Sequence, residues 1–431
     1  MPSFSGLNTI FRPRSGALPF FISIVVWGVG TGCFAAVLNN FLVDIYQLNA
    51  LERGWLEFFR EMPGLLLVFA LALLHRKSDW KVMRLGSLIS MLGVSALFIP
   101  ADKMLVTLLI MIWSLGEHLV MPVRSSIAMQ IAKEGRQGQS LGFVGSARNV
   151  GTVFGSLIVA MIFQIGIHAL NITNKVVLYN AVWAIIMVLV GAAYLCTYSK
   201  SVPNLPSRRP RLYFHRKFSV FYALELFYGA RKQIFMTFAP FVLIVNYGLN
   251  TSQIALLLGI CAAVNIFGSP LIGRLTDRLG YRNTMIWDTV VLFFVCLLYG
   301  YAAIWFPPQI AIWVVCLNFL LDAILSTTSL ATNLYVRDIA GSPDEVTSSL
   351  STGISINHLI SIIAAPLGGC VWHRYGVQVL FSFAAAMAIA NSLCACLIRK
   401  KTACPDAHNS IFNHEKHEKA RKFCRKADAP I

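Results

Sequence analysis

The sequence predicts an all-α membrane protein, with twelve transmembrane helices in two six-helix halves related by a pseudo-two-fold repeat. Three observations predict this. First, 57% of the 431 residues are hydrophobic, only 13% are charged, and mean hydropathy is +0.66. Soluble chains carry about a quarter charged residues, so a soluble globular chain and a disordered one are both excluded. Second, apolar runs of about 20 residues, enough to cross the hydrocarbon core, recur along the chain. Third, 36 Lys and Arg stand against 19 Asp and Glu, a formal charge of +17, and nearly all the bases outside the apolar runs fall in alternate connections.

The runs fall in order at 18–43, 54–74, 84–100, 104–131, 139–166 and 176–198, then at 218–246, 253–272, 284–305, 309–336, 346–371 and 377–398. The first run is too long for a signal-peptide core and lacks a cleavage site, so it is expected to remain as a span. Period-two alternation is absent, which argues against a β-barrel. The expected organisation is an N-terminus 1–17, a first half 18–198, a basic linker 199–217, a second half 218–398 and a basic tail 399–431. With the N-terminus in the cytosol, 27 basic residues fall on the cytosolic side, four (Arg53, Lys103, Lys175, Arg374) outside, and five within spans. Loops rich in Lys and Arg stay cytosolic. Both termini are therefore expected in the cytosol, in a bacterial inner (plasma) membrane. The charge reflects a lipid partner rather than a nucleic acid.

The halves overlay at a nearly constant offset. Trp27-Gly28 meets Tyr228-Gly229, and Tyr46-Gln47-Leu48-Asn49 meets Tyr247-Gly248-Leu249-Asn250, both at 201 residues; Asp79 and Arg84 meet Asp277 and Arg282 at 198, and Glu117 meets Asp322 at 205. Such repeats build secondary transporters with a substrate site between the halves. The strongest local motif is Gly273-Arg274-Leu275-Thr276-Asp277-Arg278-Leu279-Gly280-Tyr281-Arg282, between the eighth and ninth runs. Its glycines allow tight turns at helix ends, and Asp277 is placed to cap the next helix. This stretch resembles the G-x-L-x-D-R-x-G-R/K motif of the major facilitator superfamily. The resemblance implies that family's fold and a cytosolic latch formed by Gly273, Asp277, Arg278, Gly280 and Arg282. The first-half copy is worn, keeping Asp79 and Arg84. The family's drug-antiport motifs are incomplete: the fifth run keeps Gly151 and Gly155 but lacks the proline and the trailing glycines.

A charge at mid-bilayer costs at least about 2.5–3.5 kcal/mol, so each one requires a partner or a wet cavity. Five acids (Glu57, Glu61, Glu117, Glu225, Asp322) and five bases (Arg60, Arg124, Arg148, Arg231, Lys232) are counted inside spans, with His118 and His358. Glu117, Glu225 and Asp322 are candidate proton carriers, with His118 sharing the role; as fixed ion-pair partners they would never titrate. Arg124, Arg148, Arg231 and Lys232 suit a carboxylate- or phosphate-bearing substrate, or else pair helix to helix. Glu57, Arg60 and Glu61 read as a structural or gating cluster. Trp27, Tyr228 and Phe227 either stack on a substrate or simply pack. Asn318, Asp322, Ser326, Ser329 and Asn333 form a polar stripe at helical spacing. Gly28/Gly32 and Gly151/Gly155 suit close helix packing.

None of the ten cysteines has disulfide or zinc spacing. His414, His417 and Cys424 in the tail could be drawn as a metal site, but a lipid-attracted basic tail is the simpler reading. No cofactor, no metal and no enzymatic activity is expected. The expected function is alternating-access transport of a small polar or anionic organic solute, coupled to protons. The alternatives are efflux of drugs or amphipathic compounds, and a non-transporting polytopic protein.

Overall fold

A computed structural model describes residues 11–12, 16–74, 77–98, 102–133, 136–198, 214–341 and 343–398. The helices are α1 (Ala17–Tyr46), α2 (Ala50–Leu73), α3 (Asp79–Ser95), α4 (Lys103–Ile131), α5 (Gln137–His168), α6 (Lys175–Cys196), α7 (Ser219–Val245), α8 (Thr251–Leu279), α9 (Tyr281–Trp305), α10 (Pro308–Leu325), α11 (Ser329–Ile339) and α12 (Pro343–Cys396). A 3-10 turn, Ser326–Thr328, joins α10 to α11. Gly376, at φ 86°, divides α12 into two arms. Among the described residues there is no strand, only an isolated bridge between Phe11 and Ala132. The expected tail, the first ten residues and most of the linker lie outside the described residues.

Nine helical stretches among the described residues are long and apolar enough to cross a membrane by length and composition. The twelve expected runs exceed that number for two physical reasons. Helices α2 and α7 carry several charges each, which lower their hydropathy, and the arms of α12 form one continuous stretch.

Buried apolar residues form two clusters. One runs from Phe11 to Ala193 with Ala255, and the other from Ile234 to Ala388. Within the first, α1 packs on α5 and α6; within the second, α12 packs on α7 and α9. Pairs α2–α12 and α5–α8 join the two sets. Gly28 and Gly32 face Arg148, Gly151 and Thr152 so closely that a Cβ at Gly32 would lie 2.7 Å from Thr152 Cα. A larger residue there would force α1 and α5 apart.

Two stretches that overlay at an offset of 201 make matching turns. Gln47 (φ 50°) and Gly248 (φ 69°) both take the left-handed conformation that ends a helix. Each is followed by an amide that reaches back six residues, Leu48 to Leu42 and Leu249 to Leu243. Reciprocal caps then start the next helix, Asn49 with Glu52 and Asn250 with Gln253. At the opposite end, Arg84 Nη2 donates to the Thr197 carbonyl (3.0 Å) and Arg282 Nη2 to the Cys396 carbonyl (3.3 Å). Two repeat-related arginines thus each cover the exposed carbonyls where a last helix ends.

Candidate functional site

The polar residues of the interior fall into four groups. The first is a ladder on α2. Arg53, Glu57, Arg60 and Glu61 share one helical face. Arg53 donates to Asn39 (3.0 Å) and Glu57 (2.8 Å), and Arg60 to both oxygens of Glu57 (2.9 and 2.5 Å) and to Glu61 (2.6 Å). Gln233 of α7 adds a bond to Glu57 (3.0 Å), and His358 of α12 meets Glu61 at 3.1 Å. Sequence reasoning put Arg53 in an outer connection. Helix α2 instead starts at Ala50, which brings Arg53 inside, where it is buried with Glu57 and Glu61.

The second group is Arg231 of α7 with Asp322 of α10. They form an ion pair in which the Arg231 side chain is 3% exposed, and Arg231 also lies over the Tyr228 ring at 5.3 Å. Tyr228 donates to the Ser326 carbonyl (3.3 Å). Asp288 of α9, half-buried inside the ninth run, is a further acid that the five above leave out; it lies within electrostatic reach of Arg231, and its Oδ1 has no hydrogen-bond partner among the described residues.

The third group is on α4 and α5. Arg124 is 9% exposed, and its Nε has no hydrogen-bond partner among the described residues. Arg148 lies within electrostatic reach of it and is exposed, and Glu117, two turns along α4, is the acid that acts on it. The fourth group joins Lys232 to Glu225 and Glu61 by charge, and Glu225 to Asn357 by a 3.4 Å hydrogen bond. His118, buried on α4, stands against His358 with ring centroids 5.1 Å apart. Glu61, His118 and His358 offer three donor atoms within 4.8 Å of one another and could hold a metal ion.

The four expected substrate-binding cations therefore do not meet at one point. Arg231 is committed to Asp322, Lys232 faces acids, and only Arg124 and Arg148 come together. Trp27 points into the first core cluster, stacked parallel on Trp113 at 6.1 Å. A cavity of about 340 Å³ lies between α1, α2, α4, α7, α8 and α10. Its wall carries Glu57, Arg60, Glu117 and Asp322 together with Phe34, Trp113, Phe235 and Phe319. A volume near 300 Å³ is at the small end for ligand sites.

The polar stripe of the tenth run is not one continuous helix. Ser326, Thr327, Thr328 and Ser329 each donate to the carbonyl three residues back, at 2.7–3.1 Å, which tightens the backbone into the 3-10 turn beside Asp322. The motif after the eighth run also differs from expectation. Helix α8 continues to Leu279, so Gly273 lies inside it and Asp277 lies in its last turn rather than at a cap. The Asp277 side chain is outside the described ones. The turn is Gly280 alone, at φ 77°, and exposed Arg278 precedes it. Asp79 accepts from Ser126 (2.6 Å) and Gln130 (2.8 Å) of α4.

The profile of the Major Facilitator Superfamily matches residues 20–356. No curated protein matches the chain. Among solved structures, it is similar to the nucleoside transporter NupG (12% identity, 88% of this chain and 98% of that one, TM-score 0.69). It is also similar to a POT family transporter in complex with a thioalcohol-conjugated peptide (12% identity, 88% and 94% covered, TM-score 0.68). A third is a bacterial homologue of the iron transporter ferroportin in an inward-facing state (12% identity, 88% and 98% covered, TM-score 0.66). At such identities the likeness is one of fold. The profile match spans most of the sequence, so the chain belongs to the Major Facilitator Superfamily and is an integral, multi-pass membrane transporter rather than an enzyme.

Proposed function

We propose that this protein is a twelve-span, proton-coupled secondary transporter of a small organic solute bearing an anionic group. It works by alternating access in a bacterial inner membrane, with both termini cytosolic. The two halves are the helices before 199 and after 217. Supporting this division, the two core clusters separate at that point and the α1–α2 and α7–α8 turns repeat each other. Among the described residues, five hydrogen bonds join the two sets: Asn40–Leu249, Tyr179–Thr251, Ser252–Ala160, Gln233–Glu57 and His358–Glu61. They lie at the α1–α2 end or at mid-depth, as in a carrier closed outside and open to the cytosol.

Arg124 carries the substrate reading. A buried guanidinium with an unbonded nitrogen, next to a second cation, is costly unless an anion joins it. Coupling is assigned to Asp322: a proton on it would release Arg231 from the ion pair, and Arg231 could then bind solute. The aromatic wall of the cavity favours a second reading, movement of an amphipathic compound.

The test is flux into proteoliposomes, using organic anions chosen by thermal stabilisation of the purified protein. An imposed pH gradient should drive uptake. Asp322→Asn should abolish the gradient-driven component, and Arg124→Gln should raise KM tenfold or more, about 1.4 kcal/mol. Flux indifferent to any ion gradient would reduce the protein to a uniporter. Selective stabilisation by neutral amphipaths would favour the second reading.

A further inference from the structure

We infer that Glu61, His118 and His358 form a binding site for a first-row divalent transition-metal ion, and that the ion clips α2 and α4 to the first arm of α12. The chemistry of the donors sets the class of ion. Two imidazoles and one carboxylate suit zinc, cobalt, nickel or iron, whereas calcium and magnesium want oxygen donors throughout.

His118 and Glu61 are each oriented by a partner outside the trio, as metal ligands are, and His358 is oriented by Glu61 itself. His118 Nδ1 is 2.8 Å from the Ser114 carbonyl, to which it donates, so Nε2 is left with its lone pair free. Ser114 is itself fixed by a 2.5 Å bond from its hydroxyl to the Arg60 carbonyl. Arg60 holds Glu61 Oε1 at 2.6 Å, which turns Oε2 toward His358 Nδ1, 3.1 Å away. When Nδ1 of His358 takes up the ion its hydrogen is carried by Nε2, so the imidazole stays neutral, and the divalent ion with one carboxylate leaves the site a single positive charge.

Space for the ion comes from Gly64. A Cβ at that position would lie 2.7 Å from both His118 Nε2 and His358 Nδ1. Both nitrogens therefore converge on the bare face of α2, and any side chain at 64 would fill the gap between them. The three donor atoms lie within 4.8 Å of one another, with Glu61 and His118 buried and His358 half-buried. Donors on a tetrahedral ion with bonds of about 2.0–2.1 Å sit roughly 3.3 Å apart, so small side-chain rotations close the site. The three residues lie far apart in sequence, which is why no local spacing announced them.

An ion here joins α2 and α4, which line the cavity, to α12 of the other core cluster, so it should hold the protein in the arrangement described. The full-length protein, purified in detergent without metal, tests this by cobalt(II) absorption, zinc titration calorimetry and thermal unfolding. One zinc per chain should bind, raise Tm and displace cobalt from a site with a nitrogen-and-oxygen visible spectrum. His118→Gln and His358→Gln should each weaken binding at least about tenfold. Gly64→Ala should do the same with every donor still present. If that variant does not unfold cooperatively without metal, the two histidine variants decide. Absence of binding at 100-fold molar excess of zinc overturns the inference. So does zinc binding of undiminished affinity in the His118→Gln/His358→Gln double variant, which would place the ion elsewhere, such as on His408, His414 and His417.

Discussion

Helices α2 and α8 hold equivalent places in the repeat, yet their cavity-facing sides are opposites. At an offset of 201, Arg53, Glu57, Arg60 and Glu61 correspond to Ile254, Leu258, Cys261 and Ala262. Glu57 and Arg60 line one side of the cavity, and Leu258 and Cys261 line another. A second asymmetry separates Glu117 from Asp322. Asp322 has Arg231 as its partner, whereas the position matching Arg231 in the first half is Gly30, which packs toward Val190. The repeat thus fixes where helices and acids stand, and individual substitutions decide which acids are paired. One half of the cavity is a rigid ionic scaffold, and the other pairs its charge across α7 and α10.

The largest effect should come from breaking the ladder. Glu57→Ala strips Arg53, Arg60 and Gln233 of a shared acceptor and should cost about 3–5 kcal/mol of stability in detergent unfolding. Its repeat mate, Leu258→Ala, should cost less than about 2 kcal/mol, since only part of an aliphatic side chain is lost. Equal costs would mean that the ladder is no scaffold. Next comes the paired acid. Arg231→Met should cost about 3 kcal/mol, and adding Asp322→Leu should recover most of it, a coupling visible in a double-mutant cycle. Glu117→Gln, at the unpaired mate, should stay within about 0.5 kcal/mol. The smallest effects test the matched turns. Gly248→Ala should cost about 1 kcal/mol at its positive φ, and Gln47→Gly should stabilise by several tenths.

Much of the fold was legible because long apolar runs and basic connections are strong signals. The break at Gly376 falls between the last two expected runs, and Gly280 falls at a turn. What hydropathy could not show is where a helix extends beyond its apolar part. Arg53 reads as an outer residue for that reason, and α8 is longer than its run; Asp288 lies within the ninth run and is absent only from the count of charges. The site was less legible. Periodicity placed Glu117 and Arg124 on one face, but pairing depends on what another helix presents. By sequence Arg231 is as available as Arg124, but in the fold Asp322 stands against it. Trp27 followed the same logic: an aromatic on a cavity helix meets the cavity only if it does not face Trp113 instead.

The bonds from Arg84 to Thr197 and from Arg282 to Cys396 have a consequence for the covalent chain itself. Each set of helices fastens its own last member to its third at the same end, through residues that lie outside the stretch connecting the sets. Continuity of the backbone between 199 and 213 is then dispensable to either fastening. Two separately translated fragments, cut within that stretch and produced in the same cell, should find each other in the membrane and copurify as a working pair. Removing Arg84 should weaken reassembly through the first fragment alone, and removing Arg282 through the second.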